Sequence, residues 1–385
     1  MIVETRTTEL FRVTCVRSLE ALAEHRAAWN RLAGGVPFRR WEWCETWWRH
    51  YAEPGWQLHV LLVSDSDGSI VGIAPCYLSR SLQGGRVLRF IGGGEVCGDF
   101  LSLLAVPGLE RPVAQRVAAC LGATATGVWD SIHLEGVTVQ DSACRWLVQA
   151  MRARGCYVDQ TIVSHTWRVP LRRDWDGFVG GLSKHARRKV RTLQRHTIDA
   201  GRVRTNEVTS PEDLSHGLHI LRELHQRRRL SLGQRGCFSS QRFADFHAEV
   251  AARFLKAGAL RLRWLELDGQ PAAAEYGFTD EDTIYLYQSG FDPAVAEENP
   301  GWLQTVLSLR NAGEAGYRGL DFLRGDEPYK AAWGAVSTPL VDLRIINRHW
   351  GARLRHMAWQ AGCRFKSLVR QRFLAHAPAS PLGEV

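Results

Sequence analysis

An Asp-Gly pair stands at the same point in two similar series of segments, and that repetition narrows the folds open to this chain. Asp67-Gly68 separates strand candidates 58–63 and 70–78, and Asp268-Gly269 separates 260–267 and 272–279. Asp-Gly between apolar runs is a hairpin signal, because glycine tolerates the positive φ of a tight turn. Around each hairpin the order repeats. Helical segments precede it (18–33 in the first half; 175–195, 210–229 and 240–257 in the second), and a third strand follows (87–91; 283–289). A helix and another strand come next (110–121 and 131–134; 300–315 and 319–323), with a further helix at 142–154 and a strand at 161–171 between the halves. The shared order predicts an α+β fold built from a duplicated unit, with mixed sheets flanked by helices. At 385 residues the chain exceeds the roughly 250–300 at which one core stops growing. The expected division is 1–155, 156–342 and a helical tail 343–385.

Several classes are excluded early. A chain that is 45% hydrophobic and 23% charged is neither disordered nor fibrous. Its nine cysteines are scattered without metal or redox spacing and read as reduced thiols. Met1–Leu10 lacks an apolar signal region, and no window holds 18 uninterrupted apolar residues, so the expected setting is cytoplasmic.

The net charge of +9 invites a nucleic-acid reading until it is mapped. Residues 343–385 hold eight Lys/Arg and one acid, leaving the rest nearly neutral. In that tail Ile346, Trp350, Leu354, Met357, Ala361, Phe365 and Leu368 recur at helical steps, opposite Arg348, Arg355, Lys366 and Arg370. A basic amphipathic helix of this kind either lies on anionic lipid or packs back on the protein. A second basic run, 184–195, carries six Lys/Arg and no acid, while 264–298 carries nine acids and no Lys or Arg. These runs are either solvated faces or a wall for phosphates and a wall for a cationic amine.

Trp43, Trp47 and Tyr51 fall on one helical face, as core or as a stacking surface. Gly92-Gly93-Gly94 lacks the spacing of a nucleotide loop. Polar chemistry concentrates in the second half. Asn299 is an N-cap residue, Pro300 suits the first helical position, and Gly301 and Trp302 complete a helix start able to receive a phosphate. The strand 319–323 runs into Arg324-Gly325-Asp326-Glu327-Pro328-Tyr329-Lys330, where Lys330 could stabilise an oxyanion and Asp326 or Glu327 could take or steer a proton. Arg324 and Asp326 could instead form a structural ion pair. Ser-hydrolase elbows and zinc-hydrolase motifs do not occur.

Tyr287-Gln288-Ser289-Gly290-Phe291-Asp292-Pro293, then Pro300-Gly301, then 321–330 resemble GNAT-superfamily acetyltransferases of the CelD/BcsL type, whose core is the BioF2-like acetyltransferase domain. Residues 38–43, 90–97 and Leu224-His225 with Arg228 fit the same pattern, so the resemblance spans 37–334. It implies tandem GNAT-like units and transfer of an acetyl group from acetyl-CoA to a small-molecule or glycan amine, in some members linked to exopolysaccharide production. It implies a catalytic role for Lys330, and the expected catalytic set is Lys330, Glu275, Asp326 and Tyr287. Glu275 or Asp326 would be the base, Lys330 the oxyanion partner, and Tyr287 or Tyr329 the acid. Asn299, Gly301 and Trp302 would hold the cofactor, and Asp292, Arg324, Glu327, Tyr329, His225 and Arg228 would line the substrate site. The usual GNAT pyrophosphate loop, Gln/Arg-x-x-Gly-x-Gly/Ala, is absent before Pro300. The family is similar to Fem-type aminoacyl-transferases, so a tRNA-dependent transferase is the alternative, with the run 184–195 facing RNA phosphates. A membrane-surface scaffold without catalysis is the third reading.

Overall fold

The computed structural model describes residues 11–81, 84–123 and 128–374, the last twelve of these and Ala123 as backbone only. Met1–Leu10 and the side chains of Phe365 and Leu368 thus lie outside the described residues. The first half runs β1 (Arg12–Val16), α1 (Leu19–Ala23), α2 (Arg26–Leu32), α3 (Trp41–Tyr51), β2 (Gln57–Leu58), β3 (Val60–Ser64), β4 (Ile70–Ala74), β5 (Cys76–Ser81) and β6 (Gly85–Phe90). It continues through β7 (Leu104–Ala105), α4 (Glu110–Ala123), β8 (Ser131–Thr138) and α5 (Ser142–Arg152). The second half comprises β9 (Tyr157–Pro170), α6 (Trp175–Gly181), α7 (Lys184–Leu193), β10 (Val203–Glu207), α8 (Pro211–Ser231) and α9 (Gln241–Lys256). There follow β11 (Leu260–Leu267), β12 (Gln270–Thr279), β13 (Thr283–Phe291), α10 (Pro300–Glu314), β14 (Gly319–Arg324), α11 (Pro328–Ala332), β15 (Val336–Ile346) and α12 (Trp350–Leu374).

The Asp268-Gly269 hairpin forms as read. Both residues take positive φ (51° and 81°), and Leu267 pairs with Gln270 across a two-residue turn. The expected helix 175–195 divides because Gly180-Gly181 weakens it and Ser183 caps a new start, its Oγ accepting from Ala186 N at 3.2 Å. The expected helix 18–33 is likewise two, α1 and α2.

The duplication is visible in the sheets. In each half one pair of strands runs parallel for three residue pairs around a crossover helix: Val87–Arg89 with Ser131–His133, and Thr283–Tyr285 with Gly319–Asp321. The halves do not keep separate sheets. In the 11-stranded sheet, ordered β10-β11-β12-β13-β14-β9-β15-β8-β6-β5-β2, β9 lies between β14 and β15, while β15 lies between β9 and β8. β15 of the second half therefore lies beside β8 of the first, and β9 and β15 pair along almost their whole length. A four-stranded sheet, β1-β3-β4-β7, completes the first half. Leu343–Ile346, read as the start of the tail, belong to β15, and the helix begins at Trp350.

The aromatic stripe of α3 is core. Trp43, Trp47 and Tyr51 are buried, and the two indoles donate to Gly92 O (3.1 Å) and Gly93 O (2.9 Å). The glycine run is thus a backbone surface fastened by tryptophans.

Candidate active site

β13 and β14 pair only as far as Tyr285 and Asp321, then part. Beyond that point β13 keeps β12 as its neighbour and β14 keeps β9. From Leu286 to Phe291 the β13 edge facing β14 therefore has no strand partner among the described residues, leaving a sheet edge for a ligand. Open sheets bind ligands in this situation, at the carboxyl ends of parallel strands joined by a crossover helix.

The start of α10 forms one wall. Asn299 occupies the N-cap position with φ 55°, but its amide donates to Glu297 O (2.7 Å) and caps nothing, which corrects the capping expected from sequence. Trp302 N and Leu303 N both donate to Asn299 O at 3.0 Å, and Pro300 has no N–H, so Gly301 keeps the open amide. Trp302 packs on Trp333 (4.5 Å between rings), and Lys189 of α7 lies 4.7 Å above its face. α7 buries Ala186, Val190 and Leu193 and turns Lys184, Arg188 and Arg191 to solvent. The basic run is thus a cationic rail beside the α10 start.

The floor is a buried charged cluster that joins the halves. Arg324 Nε donates to Asp99 Oδ1 (2.6 Å), its backbone N donates to Asp99 Oδ2 (2.8 Å), and Nη2 donates to Gly98 O (3.2 Å). Arg324 is therefore paired with Asp99, and the expected pair with Asp326 does not form. Lys330 is buried, and its ammonium donates to the carbonyls of Leu323 (3.3 Å), Arg324 (2.9 Å) and Gly325 (3.0 Å) while contacting Glu327 at 2.9 Å. It clamps the turn after β14, in which Leu323 adopts φ 56°. Asp321, where the strands part, accepts from Leu323 N (2.8 Å); burial, reinforced by the charge of Asp99, pushes its carboxyl up to about 7.

At the mouth, Asp326 Oδ1 sits 3.0 Å from His165 Nδ1 and accepts from Trp167 Nε1 (3.2 Å). His165 and Trp167 lie on β9, the strand inserted beside β14. The side chains of His165 and Asp326 are 35% and 52% exposed, so the pair faces solvent. An imidazole held at Nδ1 by a carboxylate leaves Nε2 for proton transfer. Tyr329 is exposed next to Phe322, and Glu327 is exposed beyond Lys330.

Other expected site residues lie elsewhere. Glu275 is buried behind the sheet, where Arg261 Nε donates to Oε1 (3.0 Å) and Ser308 of α10 donates to Oε2, so it does not reach an incoming amine. Tyr287 is half-buried in an aromatic box with Phe38, Trp43 and Phe243. Its hydroxyl donates to Val96 O (2.5 Å) and accepts from His247 Nε2 (3.2 Å), whose Nδ1 then accepts from Tyr276 (3.2 Å). This chain ties the first-half loop to the second-half sheet and engages the Tyr287 hydroxyl as both donor and acceptor. His225 is buried against Cys237, and burial lowers its imidazole to about 4. Arg228 stacks 4.6 Å over Phe291, and Asp292 accepts from Ala294 N (3.0 Å) and Arg227 (3.2 Å). Gly290 is required by close approach, since a Cβ there would lie 2.3 Å from His225 N.

The acidic run does not form a wall. Its acids are spread over successive turns at opposite ends of the sheet and are engaged locally: Asp268 and Glu298 with Arg202, Asp280 with Tyr285, Asp282 with Arg168. Sequence reading missed His165 and Asp99. Each meets its partner across more than 160 residues, and no local pattern signals such a contact.

Residues 184–331 match the model of the acetyltransferase (GNAT) domain. No curated protein matches the chain. Among solved structures it is similar to FemX (TM-score 0.58, 12% identity, covering 82% of this chain and 95% of that one). It is also similar to a conserved protein of unknown function from Bacteroides thetaiotaomicron VPI-5482 (0.52, 9%, covering 87% and 100%). A third is the C-terminal DUF2156 domain of a proposed lysylphosphatidylglycerol synthetase from Agrobacterium fabrum (0.50, 13%, covering 86% and 95%). These similarities extend over both halves and concern the fold. The segment in which β13 and β14 part thus matches the GNAT acetyltransferase domain, within a duplicated, GNAT-like fold.

Proposed function

We propose that the chain is an N-acyltransferase that moves an acetyl group from acetyl-CoA to an amine, in the manner of CelD/BcsL-type proteins serving exopolysaccharide or cell-envelope metabolism in the cytoplasm. The observation that carries this reading is the parting of β13 and β14 inside the matched acetyltransferase segment. Acetyl-CoA suits that gap chemically: its thioester carbonyl would accept from N–H groups on that edge of β13, and its phosphates would meet the Gly301 N–H and the α7 rail. His165, steered by Asp326, takes the proton as the amine nitrogen bonds to the carbonyl carbon; the C–S bond then breaks, and the thiolate is protonated by imidazolium or water. Lys330 is a positioning residue that fixes the turn carrying Asp326.

Incubation of the purified chain with acetyl-CoA and a panel of amines, reading free thiol, tests the proposal; thiol release above hydrolysis is expected. A Fem-like reading is favoured by the exposed basic face of α7, which suits RNA phosphates. Acetylation without RNA separates the two. Absence of any donor binding leaves a non-catalytic scaffold.

A further inference from the structure

We propose that α12 docks the protein on an anionic bilayer. The helix is fixed to the edge of the first half through Asp130, whose Oδ1 lies 2.5 Å from Arg355 Nη2 and 3.1 Å from His349 Nε2. Arg353 Nη2 donates to Gly155 O (3.2 Å), and Asn347 Nδ2 to Trp129 O (3.0 Å). Ala352 and His356 face the body and are buried, while Arg344 stacks on Trp359 at 3.5 Å.

This anchoring determines which face is outward. Trp350, Leu354 and Met357 are 78%, 52% and 60% exposed, although they are the large apolar residues of the helix start. They follow one another at helical steps and form a stripe that the fold leaves uncovered. Arg348 and Arg353 border it, and residues 343–385 together hold eight Lys/Arg against a single acid.

The charge selects the occupant. An apolar stripe set among cations matches a surface that offers hydrocarbon beneath a layer of negative headgroups. A second copy of α12 would present the same cations and would be repelled. No helix among the described residues is long and apolar enough to cross a membrane, so the contact is peripheral. An acyltransferase held in this way would work on acceptors at the membrane face.

Flotation of the full chain with phosphatidylcholine vesicles, and with vesicles also containing phosphatidylglycerol, tests the inference. Binding to the anionic vesicles alone is expected. It should weaken as salt rises from about 0.1 M to about 1 M, where the screening length falls from about 10 Å to about 3 Å. Changing Trp350→Ser, Leu354→Ser and Met357→Ser together should lower the floated fraction at least about tenfold while leaving urea unfolding unchanged, because all three side chains are solvent-facing. Equal flotation with neutral vesicles, no flotation with either, or a lipid-independent dimer in light scattering that the triple variant abolishes would each overturn the proposal.

Discussion

Replacing Lys330 with methionine separates a clamp from an oxyanion partner. The substitution keeps most of the volume and removes three hydrogen bonds to the carbonyls of Leu323, Arg324 and Gly325. At about 1 kcal/mol for each bond, the gross loss is about 3 kcal/mol. The contact with Glu327 adds little, because that carboxylate is 55% exposed. Relief of the buried ammonium's desolvation offsets part of the loss, leaving about 2 kcal/mol. Urea unfolding of the two proteins measures the difference. Turnover should fall as well, because the turn that carries Asp326 loosens, and Lys330→Arg should restore stability only in part. A change below about 0.5 kcal/mol, accompanied by complete loss of turnover, would refute the clamp and return Lys330 to the reacting atoms.

Three further outcomes follow from the geometry. Burial depresses His247 to about 3 and His225 to about 4, whereas Asp321 is raised to about 7. Below about pH 6.5 the unfolded chain takes up protons that the two folded histidines refuse, so their contribution is lost as pH falls; Asp321 works in the opposite sense, its contribution full below about pH 4 and lost as pH rises through about 7. Between about pH 6 and 4.5 two histidines outweigh one carboxyl, and stability should fall by about 1.4 kcal/mol per unit; chemical unfolding across that range would show it, and a flat profile would contradict it. Gly290→Ala drives a Cβ onto the backbone of α8 and should cost on the order of 2 kcal/mol or more, visible as a lower Tm. Asp99→Ala strands the largely buried guanidinium of Arg324 and should destabilise by about 3 kcal/mol, with Arg324→Met in the same background recovering part of it.

The duplicated order was legible because its carriers are local: Asp-Gly turns, alternating strands and the Asn-Pro-Gly helix start. β15 was not. Pro339 interrupts its apolar pattern, yet it stands where β8 ends, with Val139 N donating to Pro339 O, so its missing N–H leaves no bond to β8 unmade. β10, Val203–Glu207, is a short edge strand with exposed residues, and hydrophobic periodicity does not reveal it. In the site, motif reading named Asp326 and Lys330, which share the turn after β14, and Glu275 and Tyr287, whose polar atoms the fold engages elsewhere. The spacing of a strand says which residues share a face, not that Arg261 and Ser308 close over one face and the first-half loop over the other. His165 reaches Asp326 because β9 pairs with β14, and long-range strand pairing leaves no mark in a linear pattern.

The most direct test is the rate of acetyl transfer from acetyl-CoA to an accepted amine, measured for the natural chain and for His165→Ala at saturating donor. The account predicts RNA-independent transfer in the first and a kcat lowered by about a hundredfold or more in the second, with acetyl-CoA affinity retained. Undiminished transfer by His165→Ala would contradict it.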